Sequence, residues 1–174
     1  MDYMNDKREY ARVSAYLPFE VRLVAGGDRE CLKPRISGAA VLSDFTKPPE
    51  PEDKLLAQWL NLLNAKLDSI ISTLFVEREG FGSLTFQTLT ISGNGMGFSS
   101  TVKYNRGDLL EIKILLYMYP HVALYLYGEV VNSNQENDGF YTAVRFTEMS
   151  DDIRDEIVKF VFRRQREILT AKRG

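Results

Sequence analysis

The sequence predicts an α+β chain built on a small closed β-sheet, with one long inserted helix and a second helix at the C-terminus. Three observations predict it. Short β-rich runs recur between turn signals from Val13 onward, as in a sheet that closes on itself. A leucine seam between residues 52 and 77 follows a helical period instead. The segment after Ser150 carries its apolar residues on one helical face.

The elements follow in order. Val13 to Val24 reads as a strand, because Phe19, Val21 and Leu23 alternate with Glu20 and Arg22. Gly26-Gly27-Asp28 signals a turn. Cys31 to Leu42 leaves room for one or two short strands, punctuated by Pro34 and Gly38. The run Lys47-Pro48-Pro49-Glu50-Pro51-Glu52-Asp53 stops any strand and opens a helix. Proline is tolerated at a helix start, and Glu52 and Asp53 put negative charge at its positive end.

The inserted helix is expected over 52–77. Leu56, Leu60, Leu63, Leu67, Ile70 and Leu74 alternate by four and three, which is a heptad seam. Leu55, Trp59 and Leu62 widen the stripe. Such a helix can pack on its own barrel or on copies of itself. At a rise of 1.5 Å per residue it reaches about 40 Å, too far to lie wholly against a small barrel. The seam therefore favours self-association, as a dimer or a tetramer. The extra stripe points to more than two helices meeting.

After Gly80-Phe81-Gly82 the strand pattern returns. Leu84, Phe86, Thr88 and Thr90 lead into a glycine-rich stretch, Gly93-Asn94-Gly95-Met96-Gly97. Asn105-Arg106-Gly107-Asp108 is a turn. Leu109 to Leu116 and Val122 to Val131 are β-rich, joined around Tyr119-Pro120-His121. Asn132 to Gly139 reads as a polar loop, and Phe140 to Phe146 as the last strand. Ser150 is the expected N-cap of the final helix, with Ile153, Ile157, Phe160, Val161, Arg164 and Ile168 on one face. Arg163, Arg164, Arg166, Lys172 and Arg173 gather toward its C-terminal end, where the helix dipole favours positive charge.

Bulk properties narrow the function classes. The 174 residues suit a single domain over 1–174 with one insertion. A net charge of −2 lacks the basic excess of a nucleic-acid binder. The apolar stretch Leu109 to Val131 is broken by Glu111, Lys113, Pro120, His121 and Glu129, so no membrane span is expected. Met1 to Arg12 is charged and holds no apolar core of a secretory signal. The lone cysteine, Cys31, fits a reducing compartment, and a cytoplasmic location is expected.

Catalysis has little to draw on, and no enzyme is expected. His121 sits in a turn signal with no carboxylate or serine signature beside it. Cys31 has no C-x-x-C partner, so no metal or redox site follows. The glycine-rich stretch does not lie between a strand and a helix, as a dinucleotide fingerprint must.

Two short constellations remain. Arg8-Glu9-Tyr10-Ala11-Arg12 places two arginines four apart before the first strand. Thr90-Ile91-Ser92-Gly93-Asn94-Gly95 enters a strand that ends in Phe98. In this order, before a β-rich core and a C-terminal helix, they resemble the PilZ family. That family reads cyclic di-GMP with R-x-x-x-R followed by [D/N]-x-S-x-x-G. Arg8 and Arg12 match the first motif, and Ser92 and Gly95 match the second. Tyr127-Gly128-Glu129-Val130-Val131 resembles a later strand of the family, and Phe160 to Arg166 its last helix. The 52–77 helix falls between the motifs as an insertion.

The resemblance implies a small antiparallel PilZ-like barrel and a receptor or adaptor for cyclic di-GMP, in the control of motility, pili or surface polysaccharide. It implies ligand contacts from Arg8, Arg12, Thr90, Ser92 and Gly95, no cofactor, and a protein effector that the sequence does not identify. Arginine forks suit phosphate and guanine edges. Thr90 departs from the motif, where the family has Asp or Asn. A lost charge-assisted hydrogen bond costs about 1.5–3 kcal/mol, roughly ten- to hundredfold in affinity. The alternative is an assembly module that has lost the ligand.

Overall fold

The computed structural model describes residues 11–24, 33–37, 51–118, 121–136 and 138–172. Arg8, Cys31 and the Gly26–Asp28 turn signal lie outside them. The elements are β1 (Val13–Leu23), β2 (Arg35–Ile36), α1 (Lys54–Arg78), a 3₁₀ turn (Phe81–Ser83), β3 (Phe86–Ser92), β4 (Gly95–Ser100), β5 (Leu109–Met118), β6 (His121–Glu136), β7 (Gly139–Phe146) and α2 (Asp151–Ala171).

Six strands run antiparallel in the order β6-β5-β1-β3-β4-β7, and β7 pairs back onto β6 to close the barrel. The short β2 adds to β6 from outside. Alternation fills the interior. Leu110, Ile112 and Ile114 of β5 point in, with Leu124, Leu126 and Val130 of β6, and each is fully buried. Phe19, Leu89, Ile91, Met96, Phe98 and Val144 join them from the other strands. The α+β barrel expected from the sequence is thus present, with its two helices.

One stretch departs from the expectation. Asn132 to Glu136 is not loop but the end of β6, paired with Gly139 to Ala143 of β7. On the β6 side its residues are polar and exposed or half-buried, and carry no buried alternation for a sequence to reveal. A register shift between Val130 and Asn132 marks where the hairpin leaves the regular ladder. His121, expected in the turn, is the first residue of β6, opposite Met118.

Helix α1 begins two residues later than expected. Asp53 caps it, and its carboxylate accepts from the backbone N–H groups of Leu55 at 2.8 Å and Leu56 at 3.2 Å. Glu52 stays outside. The helix ends where Gly80 takes a left-handed φ of 78° and its N–H donates to the Glu77 carbonyl. Its root is firmly held. Val76, Phe81, Leu115, Ala123 and Tyr125 form a second apolar cluster, with the Phe81 and Tyr125 rings edge-on at 5.1 Å. Glu79 accepts from Ser37 Oγ at 2.8 Å and pairs with Arg35 at 3.5 Å. The Arg35 guanidinium lies 4.0 Å above the Tyr125 ring.

Beyond the root the helix stands away from the barrel. Val76 is its one buried residue. Leu55, Leu56, Trp59, Leu60, Leu62, Leu63, Leu67, Ile70 and Leu74 are each between 42% and 64% exposed. Among the described residues, the packing of α1 on its own barrel, left open by the sequence, is confined to its root.

Helix α2 closes one side of the barrel. Ile153, Ile157, Phe160 and Val161 are buried in the same core as β1 and β3. Ser150 is the N-cap by position, but its hydroxyl makes no capping bond. Asp151 and Asp152 in the first turn supply the negative charge that the helix start favours. Arg163 and Arg164 both pair with Glu167 on the surface.

Candidate functional site

Arg12 of the first motif and the start of the second meet on the outer face of the barrel. Strand β1 pairs with β3, placing Val13 opposite Ile91 and Ser14 opposite Thr90. Arg12, the last residue before β1, therefore reaches the end of β3 where the second motif begins. Strand β3 turns tightly into β4, with Ser92 opposite Gly95 and Thr90 opposite Gly97. Strand β4 runs beside β7, with Gly95 opposite Arg145 and Gly97 opposite Ala143. The result is a depression of about 240 Å³ whose lining includes Arg12, Thr90, Gly95, Gly97, Tyr141 and Arg145.

The glycines make this face possible. A Cβ at Gly95 would collide with the Val144 carbonyl oxygen. One at Gly97 would collide with the Tyr141 hydroxyl and lie 2.9 Å from Thr90 Oγ1. With no side chain in the way, Tyr141 lies across β4 and its hydroxyl meets Thr90 Oγ1 at 2.9 Å. Thr90 Oγ1 also has the Gly97 carbonyl within 3.5 Å.

Ser92 does something else. It is 1% exposed, and its hydroxyl donates to Asn94 Oδ1 at 2.9 Å or the Gly95 carbonyl at 3.2 Å. In this arrangement it staples the β3–β4 turn. Arg154 of α2 donates to the Gly93 carbonyl at 3.4 Å, and the Phe146 N–H to the Asn94 carbonyl at 2.9 Å, so both neighbours hold the same turn.

The charge on this face is positive at its rim. Arg12 and Arg145 are exposed, and neither pairs with a carboxylate among the described residues. A larger hollow of about 760 Å³ lies at the other end of β4, against Ser99 to Val102. Its charged lining is Glu20, Glu136 and Asp138, with no arginine or lysine, which suits an anion poorly. Away from both, burial and then the adjacent Glu111 carboxylate raise the Tyr127 phenol above its ordinary pKa of 10.0.

Of the residues singled out from the sequence, Arg12, Thr90 and Gly95 are brought together, and Ser92 lies beneath them. Arg8 lies outside the described residues. The seam Leu56, Leu60, Leu63, Leu67, Ile70 and Leu74 belongs to a separate surface along α1. Sequence reasoning missed Tyr141 and Arg145. Their four-residue spacing puts both on one face of β7, but only the pairing of β7 with β4 brings that face to the site.

A PilZ domain family model matches residues 70–163. The chain belongs to the PilZ family. That family is one of cyclic di-GMP receptors, binding and adaptor domains for which the dinucleotide is a ligand and not a cofactor. The matched span holds Thr90, Ser92 and Gly95 and begins after Arg8 and Arg12. Two solved structures share the fold. One is a tetrameric PilZ domain from Xanthomonas campestris, self-assembled through a helical bundle. It is 16% identical, with a TM-score of 0.64 over 92% of this chain and 91% of that one. The other is the inhibitor of motility MotI/DgrA of Bacillus subtilis, 11% identical with a TM-score of 0.51. The match covers 92% of this chain and about half of that protein, 52%. No curated protein sequence matches the chain. Among the described residues, no helix is long and apolar enough to cross a membrane.

Gly95 and Gly97 should separate by stability. At Gly95 the obstacle to a Cβ is backbone, so Gly95→Ala should cost about 1–3 kcal/mol in urea unfolding. At Gly97 the obstacle is the far end of the Tyr141 side chain, which can swing away. Gly97→Ala should cost under about 1 kcal/mol.

Proposed function

We propose that this PilZ chain is a cyclic di-GMP receptor that acts as an adaptor rather than an enzyme, and that its helix α1 assembles it into oligomers. The observation that carries the ligand reading is the convergence of Arg12 with Thr90 and Gly95 on one open face, joined by Arg145. Two guanidinium groups with no carboxylate partner among the described residues, at the rim of a small depression, suit a ligand with two anionic phosphates and flat bases. Arg8, four residues before Arg12 in the same motif, belongs to the same reading. Ser92 and Gly95 serve it by shaping the turn. The motility, pilus or surface-polysaccharide process it would control, and its effector, follow from the family alone. A cytoplasmic location fits the single cysteine.

The assembly reading rests on the exposed stripe of α1. Nine large apolar side chains stand in solvent on a helix that its own barrel does not cover. Burying each against a neighbouring helix returns on the order of 1 kcal/mol or more. The Xanthomonas campestris protein of like fold is a tetramer built on a helical bundle, and a bundle of copies is what this stripe fits. Under this reading residues 1–174 form one PilZ-like domain, with 52–77 as its self-association element.

One observation favours the second reading, an assembly module without ligand. Ser92 is buried and committed to its own turn, and Thr90 is already bonded to Tyr141.

Calorimetric titration with cyclic di-GMP decides between them. Binding that Arg12→Ala weakens at least about tenfold is expected, the loss of one charge-assisted contact. No heat at high micromolar ligand would leave the second reading. Light scattering tests α1 separately. The wild-type chain should be a dimer or tetramer at tens of micromolar, and Leu63→Glu with Leu67→Glu together should yield monomer. A wild-type monomer would end the assembly reading.

A further inference from the structure

The contact between Thr90 and Tyr141 joins the motif position where the family places an aspartate or asparagine to a residue outside both motifs. Both side chains are part-exposed and line the depression with Arg12 and Arg145. Their hydroxyls are 2.9 Å apart, and either can be the donor. Gly97 leaves the space that lets Tyr141 reach across β4.

Resting on the receptor reading above, we propose that the Thr90–Tyr141 hydroxyl pair is the base-reading element of the site, and that it accepts adenine as well as guanine bases. The reason lies in what each group can do. A carboxylate only accepts hydrogen bonds. It matches guanine, whose N1–H and N2–H both donate, and it opposes adenine, whose N1 is a lone pair. A hydroxyl donates one proton and accepts on two lone pairs, and it rotates to suit.

Two hydroxyls in series extend this freedom. When Tyr141 donates to Thr90, the phenol oxygen is open to accept from guanine N1–H. When Thr90 donates to Tyr141, the phenol proton turns outward and meets adenine N1, while Thr90 accepts from the adenine N6 amine. Reversal of one proton changes the edge that is read. Strong discrimination against a wrong base comes from leaving a buried polar group unpaired, and this pair leaves none. Arg12 and Arg145 hold phosphate in either case. Affinity thus falls to the arginines and selectivity to the hydroxyls, and the ligand class widens from a guanine dinucleotide to purine cyclic dinucleotides.

The test is calorimetry on the full chain with cyclic di-GMP, cyclic di-AMP and 3′,3′-cyclic GMP-AMP. Wild type, Thr90→Asp, Tyr141→Phe and Arg12→Ala are compared. The wild type should bind all three within about thirtyfold of one another. Thr90→Asp should tighten cyclic di-GMP and weaken cyclic di-AMP, widening their ratio at least about tenfold. Tyr141→Phe should weaken both by about three- to tenfold, with an unchanged melting temperature. A wild-type preference for cyclic di-GMP beyond about thirtyfold overturns the inference and leaves the receptor reading intact. So does a Thr90→Asp ratio equal to that of the wild type. Wild-type protein that binds none of the three overturns both together.

Discussion

The outer face of this barrel depends on how closely β4 lies against β7. Gly95 sits against the Val144 carbonyl with no room for a Cβ, and Gly97 sits beneath the Tyr141 phenol. From that approach the rest follows. The β3–β4 turn is tight enough for Ser92 to staple it. Tyr141 can cross a whole strand to reach Thr90, and Arg145 comes level with Gly95 and within one depression of Arg12. A side chain at either glycine would separate groups that come from opposite ends of the sequence.

Helix α1 answers to a different constraint. Its root is fixed by Glu79, Arg35, Phe81 and Tyr125, and Gly80 ends it sharply. Above the root nothing among the described residues of the barrel covers it. The apolar stripe and the depression at Arg12 and Thr90 are therefore built on separate elements, joined through β1, β3 and the 3₁₀ turn at Phe81–Ser83. Holding the root rigid while leaving the stripe free suits an element whose partner is another copy. The barrel can keep its closure whether or not α1 is paired, because α1 gives only Val76 to the buried residues.

Much of this was legible in the residues. Alternation in Val13 to Val24 revealed a strand because one face of it is largely buried, though Leu23 at its end is exposed, and β-rich composition revealed Leu109 to Leu116. The seam of α1 was legible because its spacing is helical throughout. Asn132 to Glu136 was not, since a hairpin end in solvent has no buried face to impose a pattern. Ser150 is the N-cap by position, as its residue type suggested, but its hydroxyl makes no capping bond, and Asp151 and Asp152 add charge that favours the helix start. The site was half legible. Arg12, Thr90 and Gly95 lie in motifs with local spacing. Tyr141 and Arg145 enter only through the β4–β7 pairing, which no local pattern discloses.

Hydrogen exchange followed by mass spectrometry, with and without saturating cyclic di-GMP, tests the ligand face most directly. Binding there predicts slower exchange in peptides spanning Arg8 to Val13 and Asn94 to Gly97, with Leu55 to Leu74 unchanged. Protection confined to Ser99–Val102 and Glu136–Phe140, around the acidic hollow, would contradict it. So would the absence of any change.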